Sequence, residues 1–321
     1  MKPLISIIIP SYNKVKFIKE TINSVINQTY TNWELIIVDD GSNDGTLDVI
    51  HESKKNDTRI KSLINDLNSG ANFSRNQGIK EARGTYVIFL DADDLLKSNC
   101  LENRLAFIEK GNFDFCVFSM GVFTSVIGDS SYKWIPNSTE PLSDFLKHEL
   151  PWSILQPIWR KDFLIKINGF DESFQRLQDV EMHTRALIEP GVNYAVETNL
   201  EDCYYRIDEE RKNFSAYNFL ERRILSSNLY CSKFHKMLKD PLLKKKLYVT
   251  IYKTYLQLLY QYKLKTITKK EFFELKQKLF SIQSPSMQFF HKSLFSVGYF
   301  FSLLPFRIPG INWFICKVII F

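Results

Sequence analysis

Apolar residues follow two rhythms along this chain. Leu4-Ile-Ser-Ile-Ile-Ile9 and Trp33-Glu-Leu-Ile-Ile-Val38 are short, almost continuous apolar runs, as buried strands are. The first is stopped by Pro10 and the loop Ser11-Tyr12-Asn13-Lys14, the second by Asp39-Asp40-Gly41-Ser42. Between them Phe17, Ile18, Ile22, Val25 and Ile26 recur at helical spacing, which predicts a helix over 17–27. A second helix is expected from Thr46, with Ser42 or Asp44 as its cap, and a third strand near 60–64. The turn-rich Asn68-Ser-Gly-Ala-Asn72 then leads into a helix over 73–82, and Tyr86-Val-Ile-Phe-Leu90 closes the series as another strand. Strand and helix in alternation predict an α/β protein: a mostly parallel sheet with helices on both faces.

The last strand runs directly into Asp91-Ala-Asp93-Asp94. Three carboxylates in four positions at the carboxyl end of a parallel strand sit where open α/β sheets bind ligands. Crowded carboxylates repel, and a hard divalent cation, Mg²⁺ or Mn²⁺, relieves them while sharing its other positions with substrate phosphates. The structural alternative is a solvated acidic turn that caps the next helix. Asp39-Asp40 ends another strand, so neighbouring strand ends bring both acid groups toward one crevice. No Gly-x-Gly-x-x-Gly follows the first strand and no Gly-x-x-x-x-Gly-Lys-Ser/Thr occurs, which removes dinucleotide and P-loop readings.

Composition adds two constraints. Five widely spaced cysteines without a Cys-x-x-Cys pair read as reduced thiols rather than a disulfide frame or zinc site. Together with a start that lacks an apolar leader, they place the expected activity in the cytoplasm. Charge is divided sharply. Residues 211–321 hold 20 Lys and Arg against 4 Asp and Glu, and residues 1–210 hold 22 against 32. An acidic front suits a cation and phosphate site, and a basic rear suits an anionic surface. Two regions are therefore expected, 1–210 and 211–321.

Five segments resemble, in order and spacing, the motifs of family 2 glycosyltransferases. They are Ser6-Ile-Ile-Ile-Pro10-Ser-Tyr-Asn13, Gln28-Thr-Tyr30, the run from Glu34 to Thr46, Gly70-Ala-Asn-Phe-Ser-Arg75-Asn76-Gln-Gly78, and Phe89-Leu-Asp-Ala-Asp-Asp94. The resemblance covers roughly residues 4–210. It implies a GT-A fold, a nucleoside-diphosphate sugar donor, a divalent metal and inversion at the anomeric carbon. It implies that Pro10, Tyr12, Asn13, Asp40, Arg75, Asp91 and Ala92 bind the donor nucleotide, Asp40 by accepting the N3–H of a uracil. UDP-sugar is therefore the first choice of donor, with dTDP- and GDP-sugars behind it. Asp91 and Asp93 match the metal-binding Asp-x-Asp, with Asp94 as a further ligand, and Mn²⁺ or Mg²⁺ as the cofactor.

An inverting transfer also needs one carboxylate to take the acceptor's proton. Leu177-Gln178-Asp179 resembles the family segment in which a Glu-Asp pair opens a helix and the Asp is the base; Gln178 replaces the Glu, and Asp179 is assigned the role. Glu181 and His183 stand nearby as rivals, His183 read as structural. Trp152 and Trp159 are aromatic enough to line an acceptor or sugar pocket, core packing being an equal reading, and Gln178 is placed with them.

Residues 218–239 and 241–283 read as basic, aromatic helices, and the apolar stretches 294–304 and 311–321 are too interrupted to span a bilayer. They suit peripheral contact with an anionic inner membrane face, hence a glycan or lipid-linked acceptor, or else a helical appendage that packs in a homodimer. Nucleic acid is not an expected partner. Two other functions are weighed: a haloacid-dehalogenase-type phosphatase using Asp91 as nucleophile, and an inactive nucleotide-sugar binding protein.

Overall fold

In a computed structural model, residues 2–207, 215–281 and 315–317 are described. The apolar stretches 294–304 and 311–321 thus lie outside the described residues, apart from 315–317. Two compact units are present. The first holds Met1–Thr139, Pro151–Glu172 and Arg185–Glu210, the second Glu140–Leu150, Ser173–Thr184 and Arg211–Phe321.

The chain runs β1 (Ile5–Ser11), α1 (Ile18–Ile26), β2 (Trp33–Asp39), α2 (Thr46–Asn56), β3 (Ile60–Ile64), α3 (Ala71–Glu81), β4 (Tyr86–Phe89), β5 (Leu95–Leu96) and α4 (Cys100–Ile108). It continues as β6 (Phe115–Phe123), β7 (Lys133–Trp134), α5 (Pro141–Leu146), β8 (Pro157–Arg160), α6 (Lys161–Lys166), α7 (Gln178–Ile188) and β9 (Tyr194–Arg206). Helices α8 (Ala216–Met237), α9 (Pro241–Lys263) and α10 (Lys269–Leu279) follow. The strands of the first unit form one sheet in the order β3-β2-β1-β4-β8-β6-β9-β5, with β7 beside β6. Its front half, β3-β2-β1-β4, is parallel throughout, and the rest is mixed. The α/β class expected from the alternation is therefore present.

Several boundaries differ from the pattern for physical reasons. Pro10 does not stop β1: the strand continues to Ser11, opposite Asp39. Along β1, Ile8 faces β4, whose ladder ends at Phe89, so the missing N–H of Pro10 falls where no partner strand remains. Helix α2 is capped by neither Ser42 nor Asp44 as an N-cap residue. Gly45 holds that position with φ 92°, while Asp44 accepts the Thr46 N–H at 3.0 Å. The helical reading of 241–283 resolves into α9 and α10, broken where Lys265 takes φ 56° and restarted by a Thr268/Glu271 capping box.

Both faces of β1 and β2 are covered, which is why their sequences are continuously apolar rather than alternating. Ile7, Ile9, Leu35 and Ile37 join one cluster with Ile18, Ile22 and Val25 of α1. Ile8, on the opposite face, meets α3 at Gly78, where an added Cβ would lie 2.3 Å from its Cγ2. Only glycine lets the helix approach this closely. Beyond β4 the core holds a fully buried ion pair: Arg104 donates from Nε and Nη2 to Asp202 at 2.8 and 2.7 Å, and its Nη1 reaches the carbonyls of Leu155 and Pro157. Gly78→Ala should destabilise the protein by about 1–3 kcal/mol through overpacking, outweighing the gain in helix propensity. A lowered urea midpoint would show this, and an unchanged one would mean that α3 shifts freely.

In the second unit α8, α9 and α10 pack on one another, and α5 packs on α9. Tyr230, Phe234, Tyr252, Tyr255 and Leu258 fill the interior. Its buried hydroxyls are paired: Thr184 with Tyr230 at 2.6 Å, Ser227 with Thr254 at 2.9 Å, and Thr250 with the Leu146 carbonyl at 2.8 Å. His183 is fully buried beside Phe145, and burial lowers its pKa to about 3; burial likewise lowers that of His148 to about 3. Both imidazoles are neutral in the folded state, and the unfolded chain takes up protons below about pH 6.5. Stability should therefore fall between about pH 6.5 and pH 3, with each imidazole adding a slope near about 1.4 kcal/mol per pH unit. Melting at about pH 7 and pH 5 tests this: His183→Leu should flatten the fall, and an undiminished slope would remove the assignment.

Candidate functional site

At the carboxyl end of β4 the chain turns through Asp91 to Asp94, closed by the Asp94 N–H donating to the Asp91 carbonyl at 3.0 Å. From α1, the Thr21 hydroxyl donates to the Ala92 carbonyl at 3.0 Å and fixes the turn from below. Three basic residues from separate parts of the chain gather at this turn. Arg75 of α3 donates to Asp91 at 2.8 Å, with its guanidinium 5.3 Å from the Phe170 ring. Lys14, after β1, donates to Asp93 at 2.5 Å. Arg206, at the end of β9, donates its backbone N–H to Asp94 at 2.9 Å and its Nε to the Asp93 carbonyl at 2.8 Å. The same guanidinium pairs with Glu20 at 2.5 Å and lies over Phe17 and Phe123.

The end of β2 lies one strand away across β1. Asp39 is wholly buried and accepts from the N–H and hydroxyl of Ser42, at 2.8 and 2.7 Å, so it shapes its own loop. Asp40 is 3 % exposed and accepts from Asn65 at 2.8 Å, Ser69 N–H at 3.0 Å and Gly70 N–H at 2.7 Å. A carboxylate offers about four lone-pair sites, so this side chain gives about three of them to the loop that precedes α3. The loop after β1 joins the two acid groups. Asn13, at φ 51°, donates its N–H to Ser42 at 2.9 Å and accepts from Asn43 N–H, while the next residue, Lys14, reaches Asp93. Tyr12 beside it is 44 % exposed. Pro10, Tyr12, Asn13, Asp40, Arg75, Asp91 and Ala92 thus gather around one end of the parallel sheet.

Two carboxylates here have the chemistry for a hard cation. Asp91 is 36 % exposed along its side chain, Asp93 stands two residues on, and Mg²⁺-type sites use one or two carboxylates and complete the shell with water and phosphate. Among the described residues no group of three or more Asp, Glu, His or Cys forms a closed cage. Asp94 is turned inward, 2 % exposed, with Oδ1 on the Arg206 N–H. Asp93 is buried to the same degree, at 3 % exposed. Trp152 and Trp159 are likewise fully buried, with ring centroids 6.3 and 4.5 Å from that of Phe115. They are core groups, and neither presents a free face to a sugar.

Asp179 belongs to the second unit, in the first turn of α7, half-buried, with Oδ1 accepting from the Val180 N–H at 2.9 Å. Its charge acts on Arg223, whose pKa is lowered to about 10 by burial and by Arg176 and is supported in the other direction by Asp179. Gln178 donates to the Phe174 carbonyl at 3.3 Å. Of the rivals, Glu181 is fully buried and bound to Lys233 at 2.8 Å, and His183 is the core imidazole described above. Arg206 and Glu20 escaped the sequence reading. The only signal was the apolar run Cys203-Tyr-Tyr ending in an Arg, a strand end like those that carry the acids.

Residues 6–163 match the family described as glycosyl transferase family 2. TuaG of Bacillus subtilis, a glycosyltransferase named for teichuronic acid biosynthesis, is 42 % identical over 130 residues, which is 40 % of this chain and 50 % of that protein. The Escherichia coli UDP-Glc:alpha-D-GlcNAc-diphosphoundecaprenol beta-1,3-glucosyltransferase WfgD is 44 % identical over 112 residues, 35 % of this chain and 44 % of that one. The chain spans about half the length of these relatives. Among solved structures, S. aureus TarS 1-349 in complex with UDP-GlcNAc superposes with a TM-score of 0.57 at 18 % identity, covering 89 % of this chain and 93 % of that one. The Pyrobaculum calidifontis mannosyltransferase PcManGT, in complex with GDP-Man and Mn²⁺, gives 0.57 at 17 % identity, covering 100 % and 85 %. These likenesses are of fold, and the fold is GT-A.

Proposed function

Because this chain belongs to the family 2 glycosyltransferases, we propose that it moves a sugar from a nucleoside-diphosphate donor, UDP-sugar first, to a hydroxyl of a glycan or lipid-linked acceptor, with inversion. The phosphatase reading of Asp91 finds no support in this family. The observation that carries the proposal is the joining of two acidic strand ends by one loop: Asn13 bonded to Ser42 beside Asp39-Asp40, and Lys14 bonded to Asp93. Such a crevice can hold a base at one side and a diphosphate at the other.

In this reading Asp40 meets the uracil N3–H with its remaining acceptor capacity, and Pro10, Tyr12, Asn13 and Ala92 line the nucleotide. Asp93 and Asp91 would hold Mn²⁺ or Mg²⁺, which would supply positive charge against that developing on the departing diphosphate. Arg75 holds Asp91 in place by a charge-assisted bond. Asp179 takes the acceptor proton. What supports this last role is its position at the opening of α7 beside Gln178, in the order the family motif has. The basic helices favour a peripheral position at the inner face of the cell membrane and an acceptor presented there. Among the described residues no helix is long and apolar enough to cross a bilayer. The sequence relatives named for teichuronic acid and for a diphosphoundecaprenol acceptor favour surface-polysaccharide synthesis.

Asp93→Ala should abolish the Mn²⁺-dependent part of UDP binding in calorimetry while UDP alone still binds weakly; equal Mn²⁺ enhancement in the variant would remove Asp93 from the site. Asp179→Asn should bind UDP-sugar as tightly as the wild type and lose transfer by about 10²–10⁴-fold, the usual worth of a general base. Near-normal turnover would mean that another group takes the proton.

A further inference from the structure

The sequence gives Lys14 no defined task, yet its ammonium sits 2.5 Å from Asp93, and that carboxylate is only 4 % exposed. A carboxylate so withdrawn from water needs a counter-charge at all times. In the protein without ligands, Lys14 supplies one. A divalent cation bound to Asp93 would supply another, and two cations crowding the same carboxylate repel each other strongly at low local dielectric.

The loop geometry lets the ammonium move while its backbone stays fixed. Lys14 N–H donates to Thr46 Oγ1 at 2.8 Å, Asn13 N–H to Ser42 Oγ at 2.9 Å and Val15 N–H to Asp44 at 3.2 Å. Three successive amides are thus tied to the loop before α2 and to the first residue of that helix, and the side chain alone has freedom. Lysine, unlike the Arg75 fork on Asp91, is a compact point charge on four flexible carbons, with no planar geometry to hold it. Its side chain is 23 % exposed, with Nζ passing 5.9 Å from the Phe17 ring, so the head has a way out toward solvent.

We propose that Lys14 is the resident counter-ion of Asp93, an ammonium that gives up the carboxylate to an arriving divalent cation and passes to the diphosphate that comes with it. The inference rests on the nucleotide and cation reading of the same turn. Its consequence is a coupling. Cation alone must expel Lys14 into water and so binds weakly; cation with nucleotide offers Lys14 a new anionic partner and binds well. The nucleotide would then be needed before the cation is held, through a residue that need not ligate the metal.

The test is titration of the full chain with Mn²⁺, followed by loss of the free-ion EPR signal, with and without UDP. Wild-type protein should hold Mn²⁺ weakly alone and more tightly with UDP. Lys14→Met, which keeps the stem and removes the charge, should bind Mn²⁺ alone about tenfold more tightly and show less gain from UDP. Lys14→Arg, which keeps a cation, should stay with the wild type. If Lys14→Met binds Mn²⁺ alone no more tightly than the wild type does, the counter-ion role is overturned. Asp93→Asn separates this from failure of the underlying reading: if it holds Mn²⁺ with UDP as well as the wild type does, the cation does not bind at Asp93 and both ideas fall. If Asp93→Asn loses the ion and Lys14→Met behaves as wild type, the site stands and only the exchange is refuted.

Discussion

The folded first unit depends on keeping several negative charges together at one end of a sheet. Left to themselves, Asp91, Asp93 and Asp94 would repel one another and draw water into the edge of the core. The chain answers with groups drawn from far apart in sequence: the Lys14 ammonium after β1 on Asp93, the Arg75 guanidinium of α3 on Asp91, and, at the end of β9, the Arg206 backbone N–H on Asp94 with its Nε on the Asp93 carbonyl. Each is held by something else. Lys14 is tied through its own backbone N–H to the Thr46 hydroxyl, an aromatic ring lies against Arg75, and Glu20 with two more rings surrounds Arg206. The acid turn therefore serves as a meeting point for four elements, and its usefulness to a ligand follows from the same concentration of charge that makes it hard to build.

Much of this was legible before any coordinates. The runs 4–9 and 33–38 are apolar on both faces because helices cover both, and that is the mark of a parallel central strand. The acids at strand ends were visible for the same reason: a buried run that stops at a carboxylate leaves it at a rim. What stayed hidden depended on contacts between distant residues. Asp94 looks like Asp91 and Asp93 in sequence, and only the arrival of β9 shows that its Oδ1 accepts a strand N–H. Trp152 and Trp159 look like sugar platforms until Phe115 closes over them. Asp40 resembles a free acceptor, yet the loop that reaches it is 25 to 30 residues further on. Pro10 punctuates the sequence without ending its strand, because the neighbour it would have bonded had already ended.

The second unit shows a different balance. Its helices were readable from Leu, Tyr and Phe at helical spacing, while the use of its basic residues was not. Part of that charge is neutralised inside the unit: Lys233 meets Glu181, Lys253 meets Glu149, and Lys278 meets Glu221 and Glu274. A surplus of Lys over a stretch of sequence thus overstates the field it projects, since acids scarce in that stretch are partly supplied from segments 140–150 and 173–184.

Strand β9 carries one more consequence. Against β6 it skips three residues, Thr198 to Leu200, and then a single one, Asp202, before pairing resumes at Cys203. Pairing with β6, not alternation along the chain, sets the facing across these skips: Glu201 and Tyr204, three positions apart, both approach Gly121. Asp202, freed from that ladder, becomes the buried partner of Arg104. The skips thus alter the length of β9 without changing which of its side chains share a face with β6, and Arg206 still arrives at the acid turn. A change of length at the skips can thus be taken up as a larger or smaller bulge, whereas one between Cys203 and Arg206, where pairing with β6 is unbroken, would shift the end of the strand against the acid turn.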